Sequence, residues 1–565
     1  MALRHRPHRI IYVPLDDRPS NLRAPRLLAQ MVDYDILIPP AEMLGCFRVP
    51  GQPEEIADWL VAHADSHPDV IILSLDMLAY GGLWASRCSM TRSALAQQRM
   101  GLLSRLRAAC PDTIIYGLST ILRLGTVTSS DEGALHLAAL KRHSVLVGRI
   151  ADKADPEDRR KLAALEREIP ASVLGEYLAI RDRNQQINLR AVKEVAEGSL
   201  DFLVFGQDLA DRYGVHRQEQ AVIDNAVREQ GVQHKVVAMP GTDELGMCLL
   251  TRFVHTHMGK TPTVRVLVPE PDALAELPAG EDRPFSDSLS SHLRLVGARP
   301  AEEGDRAPDM VLIVNAPIAY NRADLHDASV ARAHRKRARS FVAEAIAAAG
   351  GRSAAVCDAG FSNGADDIFV QELVSATPEL PRLLSYAGCG TASNSLGTVL
   401  SHASLRLISL QDKGAFDLAS RLGDMSPMRY LQLLDTLIAS EKAHIRLLLT
   451  RLTDDWLYQA RLRPRLTEHI CNGLHHGVFD LSGSYSQAES LVRDNLTSAV
   501  SDLWIDQFLG RRCVSLGSDT SEEEPSVLVL AELEETRISL PWRRLFEVDV
   551  EVEFGVQLVA STYGP

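Results

Sequence analysis

Short runs of β-branched and other apolar residues alternate with longer Ala/Leu/Arg segments through the first half of the chain. The apolar runs are "RIIYVPL", "YDILIPP", "DVIILSLD", "TIIYGLST", "LDFLVFGQD" and "HKVVAMPGTDE". Between them "EEIADWLVAHA", Ser93–Ala109 and the stretch near Gln218–Gln230 place apolar residues at helical spacing. Near-continuous apolar strands separated by helices are what a parallel sheet covered on both faces requires. Six such units fill Arg9 to about His257, which predicts an N-terminal α/β domain over residues 1–258.

A second series follows. "VRVLVPEP", "DMVLIVNAP", "SAAVCDAG", "RLLSYAGCG" and "LRLISLQD" read as strands with helices between most of them. They predict a second, flavodoxin-like or Rossmann-like α/β domain over residues 259–420, its strands within Thr261–Asp412. The polar, Pro-containing stretches Leu277–Asp287 and Arg299–Pro308 read as surface loops. Asp152–Ile169 is charged at helical spacing and reads as a solvated helix. In the remainder, 421–565, Pro427–Arg451 and Gln487–Leu509 have helical patterns. "SVLVLAEL" and "FEVDVEVEF" alternate with period two, as antiparallel or edge strands do, and the acidic stretch Gly517–Pro525 sets them off. The fold class is therefore α/β: two successive parallel-sheet units with a C-terminal helical and small β extension.

Length and composition narrow the setting. At 565 residues the chain exceeds one ordinary core. A net charge of −14 argues against nucleic acid, whose binding needs Lys and Arg to neutralise phosphates. No basic amphipathic stretch suits a membrane surface, and no segment approaches the roughly 20 apolar residues of a span. The basic start MALRHRPHR lacks the apolar region and cleavage site of a signal peptide. Eight scattered cysteines without a CxxC pair read as reduced thiols, so the expected location is cytoplasmic. Oligomeric state is not legible.

The chemistry lies at the strand ends. "IIYVPLDDRPSN" delivers Asp16, Asp17 and Arg18 where a buried strand stops, and Asp76, Gln207-Asp208, Asp243-Glu244, Asn315, Asp358, Asn363 and Asp366 follow other strands. One such Asp is usually a helix cap worth about 1 kcal/mol. A set with so heavy an acidic bias points instead to a ligand, because loops and helix N-termini converge at the carboxyl ends of parallel strands. A polar cleft shared by the two units is the expectation. A rim of Asp, Asn, Gln, Arg and Tyr suits a sugar, and glycosidic cleavage needs two carboxyl groups, one of them protonated. Asp208 and Asp243/Glu244 end successive strands and are the candidate catalytic set.

Other chemistries compete for the same residues. Mg²⁺ or Ca²⁺ takes Asp and Asn oxygens, although adjacent Asp16 and Asp17 point apart unless the chain turns. "HICNGLHH" (His469, Cys471, His475, His476) has zinc-ligand types at an unfamiliar spacing, and His255 and His257 lack an HExxH helix. "HMGKT" is no P-loop, since the required glycine is Val254, and no GxSxG elbow occurs. Gly388-x-Gly390-x-x-Ser393, with Asp412 ending the next predicted strand, is only a near miss to a nicotinamide fingerprint. No cofactor is expected, with a divalent cation as the rival occupant.

The motifs "YVPLDDRPSN", "PPAEMLGCFRVPG", "SLDMLAYGGLWASR", "RDRNQQINLRAV", "GVHRQEQ", "PGTDELG", "NGADD", "AGCGTASNSLGTVLS", "RLTDDWLYQA" and "PWRRLFEVDVE" span about Arg9 to Glu553. In them the chain resembles the bacterial family of domain of unknown function 4127. The resemblance implies no reaction, but it singles out Asp16, Asp17, Arg18, Asp76, Tyr80, Gly81, Gly82, Arg181, Asn184, Asp208, Asp243, Glu244, Asn363, Gly364 and Asp366. The chain departs from the family pattern at Leu209, where a second Asp is expected, and at Cys389-Gly390, where Trp-Asn is expected. The leading expectation is a carbohydrate-active hydrolase, a glycosidase, with Asp208, Asp243 and Glu244 catalytic. Asp16, Asp17, Arg18, Asp76, Tyr80, Arg181, Asn184, Asn363, Asp366 and Asn394 would bind a small-molecule or oligosaccharide substrate. The alternatives are a non-catalytic sugar or polyol sensor and a metal-assisted hydrolase or lyase on a small polar substrate.

Overall fold

A computed structural model of the chain describes residues 8–88, 90–125, 135–302, 305, 307–318, 320–350, 353–412, 426–473, 481, 483–516 and 526–559. The chain divides into two compact units. The first is Met1–Leu22, Asp35–Phe253 and Leu277–Ser291; the second is Arg23–Tyr34, Val254–Glu276 and His292–Pro565.

In the first unit the six apolar runs form β1 (Arg9–Val13), β2 (Asp35–Leu37), β3 (Val70–Ser74), β4 (Ile114–Ile121), β5 (Phe202–Gln207) and β6 (Val236–Pro240). They make one parallel sheet in the order β2-β1-β3-β4-β5-β6. Both faces are covered, so every residue of β3 and β5 is buried, as their apolar runs Val70–Leu73 and Phe202–Phe205 require. Ile71, Leu73, Leu203 and Phe205 of the sheet pack with Ile56 and Leu60, Leu103 and Leu106, and Ile187, Ala191 and Val195 of the covering helices.

The second unit holds β7 (Thr263–Leu267), β8 (Arg299–Pro300), β9 (Met310–Asn315), β10 (Ala354–Asp358) and β11 (Ser385–Ala387). Their parallel order is β11-β10-β9-β7-β8. Counted from the first strand of each sheet, both units share the flavodoxin-type winding, in which the second strand pairs on one side of the first and the third on the other. β12 (Arg512–Leu516), β13 (Ser526–Ser539) and β14 (Asp549–Val559) form the expected antiparallel sheet. The helix Pro427–Arg451 begins and ends where its pattern predicts. Gly517–Pro525 lies outside the described residues.

Three local expectations change. "LRLISLQD" is not a strand but the end of the helix Ala392–Asp412. Leu396, Val399, Leu400, Ala403 and Leu407 are buried at helical spacing, and Leu405, Arg406 and Ile408 are buried as well. A helix enclosed on all sides loses its polar stripe, so a chance alternation imitates a strand. The fifth strand is instead β8, a two-residue edge in a stretch that its proline and charges mark as a loop. Finally, Asp152–Ile169 contains a break: the helix Leu137–Lys153 ends at left-handed Ala154, and Asp155 caps the next helix, Pro156–Glu168, by accepting from Glu157 N.

Candidate functional site

In this winding the crevice lies where the strand order reverses, between the carboxyl ends of β1 and β3. Those two ends carry the DDRP turn and the SLDMLAYGG turn. Leu83 N donates to Leu15 O at 3.2 Å and ties them together. Arg18 lies between two carboxylates. Its Nε and Nη2 donate to Asp16 Oδ2 at 2.9 and 2.7 Å, while Nη1 and Nη2 donate to Asp243 Oδ2 and Oδ1 at 2.9 and 2.6 Å. Asn21 Nδ2 donates to Asp16 Oδ1 at 2.8 Å. Asp17, next in the turn, is half-buried.

The Arg18–Asp243 pair says something about the sheet. β1 and β6 are four strands apart, about 19 Å in a flat sheet with strands about 4.8 Å apart. The bidentate ion pair bridges the turns that follow these two strands. The helix Leu245–His257 after β6 completes the approach: a Cβ on Gly246 would lie 2.1 Å from Tyr12 Oη of β1. Only glycine fits there.

The same edge carries two further carboxylates, Asp76 and Asp208. Asp76 is almost wholly buried and accepts from Thr120 Oγ1 at 2.7 Å and from Thr120 N at 2.9 Å. Burial pushes its pKa up to about 6; the Thr120 hydrogen bonds oppose the rise, Asp208 adds to it and Arg87 subtracts. Asp208 at the end of β5 is ion-paired with Arg87. Burial would raise this group too, but the guanidinium groups of Arg87 and Arg123 outweigh it and hold the carboxyl below its ordinary value. Arg87 Nε is buried without a hydrogen-bond partner among the described residues, so one donor next to Asp208 is unspent.

Glu244 has a different place. It is fully buried, and its Oε2 accepts from Thr242 N at 2.9 Å. A Cβ on Gly241, where φ is +107°, would strike Glu244 Oε1. The side chain is folded into its own turn.

Tyr80 is buried, with the guanidinium of Arg183 4.4 Å from its ring centre. The RDRN motif on the helix Ala171–Ala196 grips backbone near the carboxylates. Arg181 pairs with Glu219 and donates to the carbonyls of Leu122 and Arg123 at 3.1 and 2.8 Å. Asn184 Nδ2 donates to Ser86 O at 3.0 Å, and Arg183 donates to Ser86 O and Cys88 O at 2.6 and 2.7 Å. The motif thereby fixes the segments that carry Arg87 and Arg123. Leu209, beside Asp208, is 37% exposed and left-handed at φ +51°.

The second unit gathers its own strand-end residues. Asn315 and Asp358 are register partners on β9 and β10. Asn315 Nδ2 donates to Asp358 Oδ1 at 2.9 Å and to Asp366 Oδ2 at 3.2 Å. Burial and the charge of Asp366 push Asp358 up to about 7. Asp366 caps the helix Asp367–Ala376 through Ile368 N and Phe369 N, and its Oδ2 lies 2.7 Å from His334 Nε2. His334 Nδ1 lies 2.6 Å from Tyr320 Oη. Asn363 is exposed and left-handed, and its N–H donates to Gly390 O at 2.9 Å. Asn394 Oδ1 accepts from Thr391 Oγ1 at 2.8 Å.

A π-helical stretch, Leu452–Leu462, interrupts the helical run at the "TDDW" residues. Such wide turns recur at functional sites. Asp455 accepts from Gly388 N at 2.7 Å through its side chain and from Ala365 N at 2.8 Å through its carbonyl, fixing the two loops beside Asp358.

Arg87, Thr120, Arg123, Tyr320 and His334 escape the sequence reading. Each sits in a stretch with no motif chemistry of its own, and only the resemblance to a family marks "WASR". Among the described residues no group of three His, Cys, Asp or Glu side chains is placed to hold a metal ion. His475 and His476 lie outside the described residues. Asp412 ends a helix, so it cannot serve the strand-end role that a nicotinamide fingerprint needs.

The family model described as "Protein of unknown function (DUF4127)" matches residues 10–551. The chain belongs to the DUF4127 family. Comparison with curated protein sequences gives no match. Among solved structures, the carboxyl transferase domain of Rhizobium etli pyruvate carboxylase with pyruvate is 10% identical, with 98% of this DUF4127 chain and 89% of that chain covered and a TM-score of 0.15. A variant of that domain gives 9%, 99%, 89% and 0.18. The complete multifunctional enzyme from the same organism gives 10%, 98%, 52% and 0.17. Similarity at that level carries no argument about the fold or activity of this DUF4127 protein. Among its described residues no helix is long and apolar enough to cross a membrane.

Proposed function

We propose that this DUF4127 protein is a carbohydrate-active hydrolase of the glycosidase type, with Asp76 and Asp208 as its acid–base pair. The supporting observation is the opposed ionisation of two buried carboxyls at the carboxyl ends of one sheet. Asp76 is pushed up to about 6 and Asp208 is held low. Pairs whose environments drive their pKa values apart are how one site keeps a proton donor and a carboxylate at once. Asp76 is the donor to the glycosidic oxygen; Asp208 stays ionised to stabilise or attack the sugar carbon, or to activate water. Asp243, ion-paired with Arg18, holds sugar hydroxyls together with Asp16 and Arg18. Glu244 shapes the turn that presents Asp243.

The test is turnover of a panel of aryl glycosides by wild type, Asp76→Asn and Asp208→Asn. Loss of a general acid costs about 100- to 10,000-fold. Because the donor must be protonated, the wild-type rate falls as pH rises through about 6. A hydrolysed glycoside whose turnover is unchanged in Asp76→Asn refutes the assignment.

One observation favours a second reading: Asp16, Asp208 and Asp243 are all ion-paired with arginines. A sugar or polyol sensor needs only such a prearranged rim. It predicts that a sugar raises the melting temperature of wild type and Asp76→Asn alike, with no product.

A further inference from the structure

The second unit has its own reversal of strand order, between the carboxyl ends of β7 and β9. Tyr320 follows β9. Glu270 follows β7 and pairs through both oxygens with Arg337 at 3.0 and 2.7 Å. Arg337 and His334 share the helix Ala328–Ala349, so the buried histidine stands beside this crevice.

Donor and acceptor roles along the chain of bonds can be assigned. The Asp366 carboxylate already accepts from Ile368 N, Phe369 N and Asn315 Nδ2, so it faces donors throughout. His334 Nε2 therefore carries a proton and donates to Asp366. In the neutral ring Nδ1 is then the acceptor, and Tyr320 Oη donates to it. The order is hydroxyl, imidazole, carboxylate, as in nucleophile–base–orienter triads, with a tyrosine hydroxyl in the outer place. Tyr320 is half-buried, so it is the member of the chain nearest solvent.

A second observation points to a ligand. Arg322, two residues on, is half-buried with its guanidinium 5.1 Å from the ring centre of Phe361, and Nη2 donates to Gly364 O at 2.7 Å. Phe361 is also the aromatic neighbour of His334. Among the described residues Arg322 makes no salt bridge. Asp358 and Asp366 act on it only through space, so its fork is not closed by a carboxylate and can take an anionic group.

We propose that Tyr320, backed by His334 and Asp366, is the hydroxyl-binding residue of a second site in this protein, which takes a small hydroxy acid with its carboxylate on Arg322. The ligand hydroxyl donates to Tyr320 Oη while Tyr320 Oη donates to His334 Nδ1. His334 and Asp366 are positioning residues that act through Tyr320.

The experiment follows the imidazole signals of His334 by NMR in the full chain, assigned by their loss in His334→Gln. The free protein shows the Nε2–H tautomer with Nδ1 accepting. Addition of glycolate, lactate, glycerate or gluconate shifts the Nδ1 signal for at least one of the four. The shift disappears in Tyr320→Phe and in Arg322→Gln, whose other histidine signals stay in place and show that the fold is kept. A Nδ1–H tautomer, no shift with any of the four acids, or a shift that survives Tyr320→Phe overturns the proposal.

Discussion

Replacing Arg87 by Met should damage this protein more than replacing both Arg87 and its partner. Arg87 and Asp208 are 8% and 7% exposed, so the carboxylate left behind in Arg87→Met stays in the interior without its closest counter-charge. Removing one member of a buried pair costs about 3–5 kcal/mol. Arg123 and Arg18 still act on Asp208, which places the cost at the lower end, about 3 kcal/mol. Asp208→Asn in the same chain removes the stranded charge and should recover about 2 kcal/mol of it. Urea unfolding followed by tryptophan fluorescence checks the order, because Trp84 lies on the helix Leu83–Ser86 just before Arg87. The pH dependence has a definite sign. In wild type the folded pKa of Asp208 lies below its unfolded value, so its stabilisation is present above about pH 4 and is lost as pH falls. In Arg87→Met burial dominates and the folded pKa lies above the unfolded value. That variant's deficit is small below about pH 4 and grows as pH rises. Equal midpoints for Arg87→Met and the double variant, or a deficit independent of pH, would refute the description of Asp208 as a buried, guanidinium-held carboxylate.

Three further outcomes are expected. Asp76→Asn removes a group whose folded pKa of about 6 exceeds its unfolded value near 4, a burden of about 3 kcal/mol above pH 6. One lost Thr120 hydrogen bond offsets about 1 kcal/mol, so calorimetry should find the variant more stable than wild type at pH 8 but not at pH 4. Gly246→Ala should lower the melting temperature because its methyl meets Tyr12 Oη, and Tyr12→Phe should restore part of the loss; no effect would contradict the close approach of β1 and the helix after β6. Leu209→Asn, at a left-handed position that asparagine tolerates, should stabilise by about 1 kcal/mol in the same assay.

Strands buried on both faces are readable because runs such as Val70–Leu73 and Phe202–Phe205 place four apolar residues together between helices. The ends of those strands are readable for the same reason, so Asp16, Asp76, Asp208 and Asp243 could be named from sequence. Their partners could not. Arg18 meets Asp243 across four strands, and a contact between turns that far apart leaves no mark in a strand's alternation. Arg87 and Arg123 are single arginines whose placement depends on Arg181, Arg183 and Asn184 gripping backbone carbonyls far away in sequence. Asp243 and Glu244, adjacent in sequence, look equivalent; the left-handed Gly241 turn separates them into an ion-paired carboxylate and a buried one. The misread "LRLISLQD" shows the opposite failure, where burial around a whole helix removes the stripe that would identify it.

The central claim is that Asp76 and Asp208 share one polar edge and ionise apart. Carboxyl NMR of isotope-labelled aspartate tests it directly. The account predicts one carboxyl titrating near 6 that Asp76→Asn abolishes and that moves down in Asp208→Asn, when the neighbouring charge is gone. A wild-type spectrum in which no carboxyl titrates near 6, or one whose midpoint ignores Asp208→Asn, would contradict it.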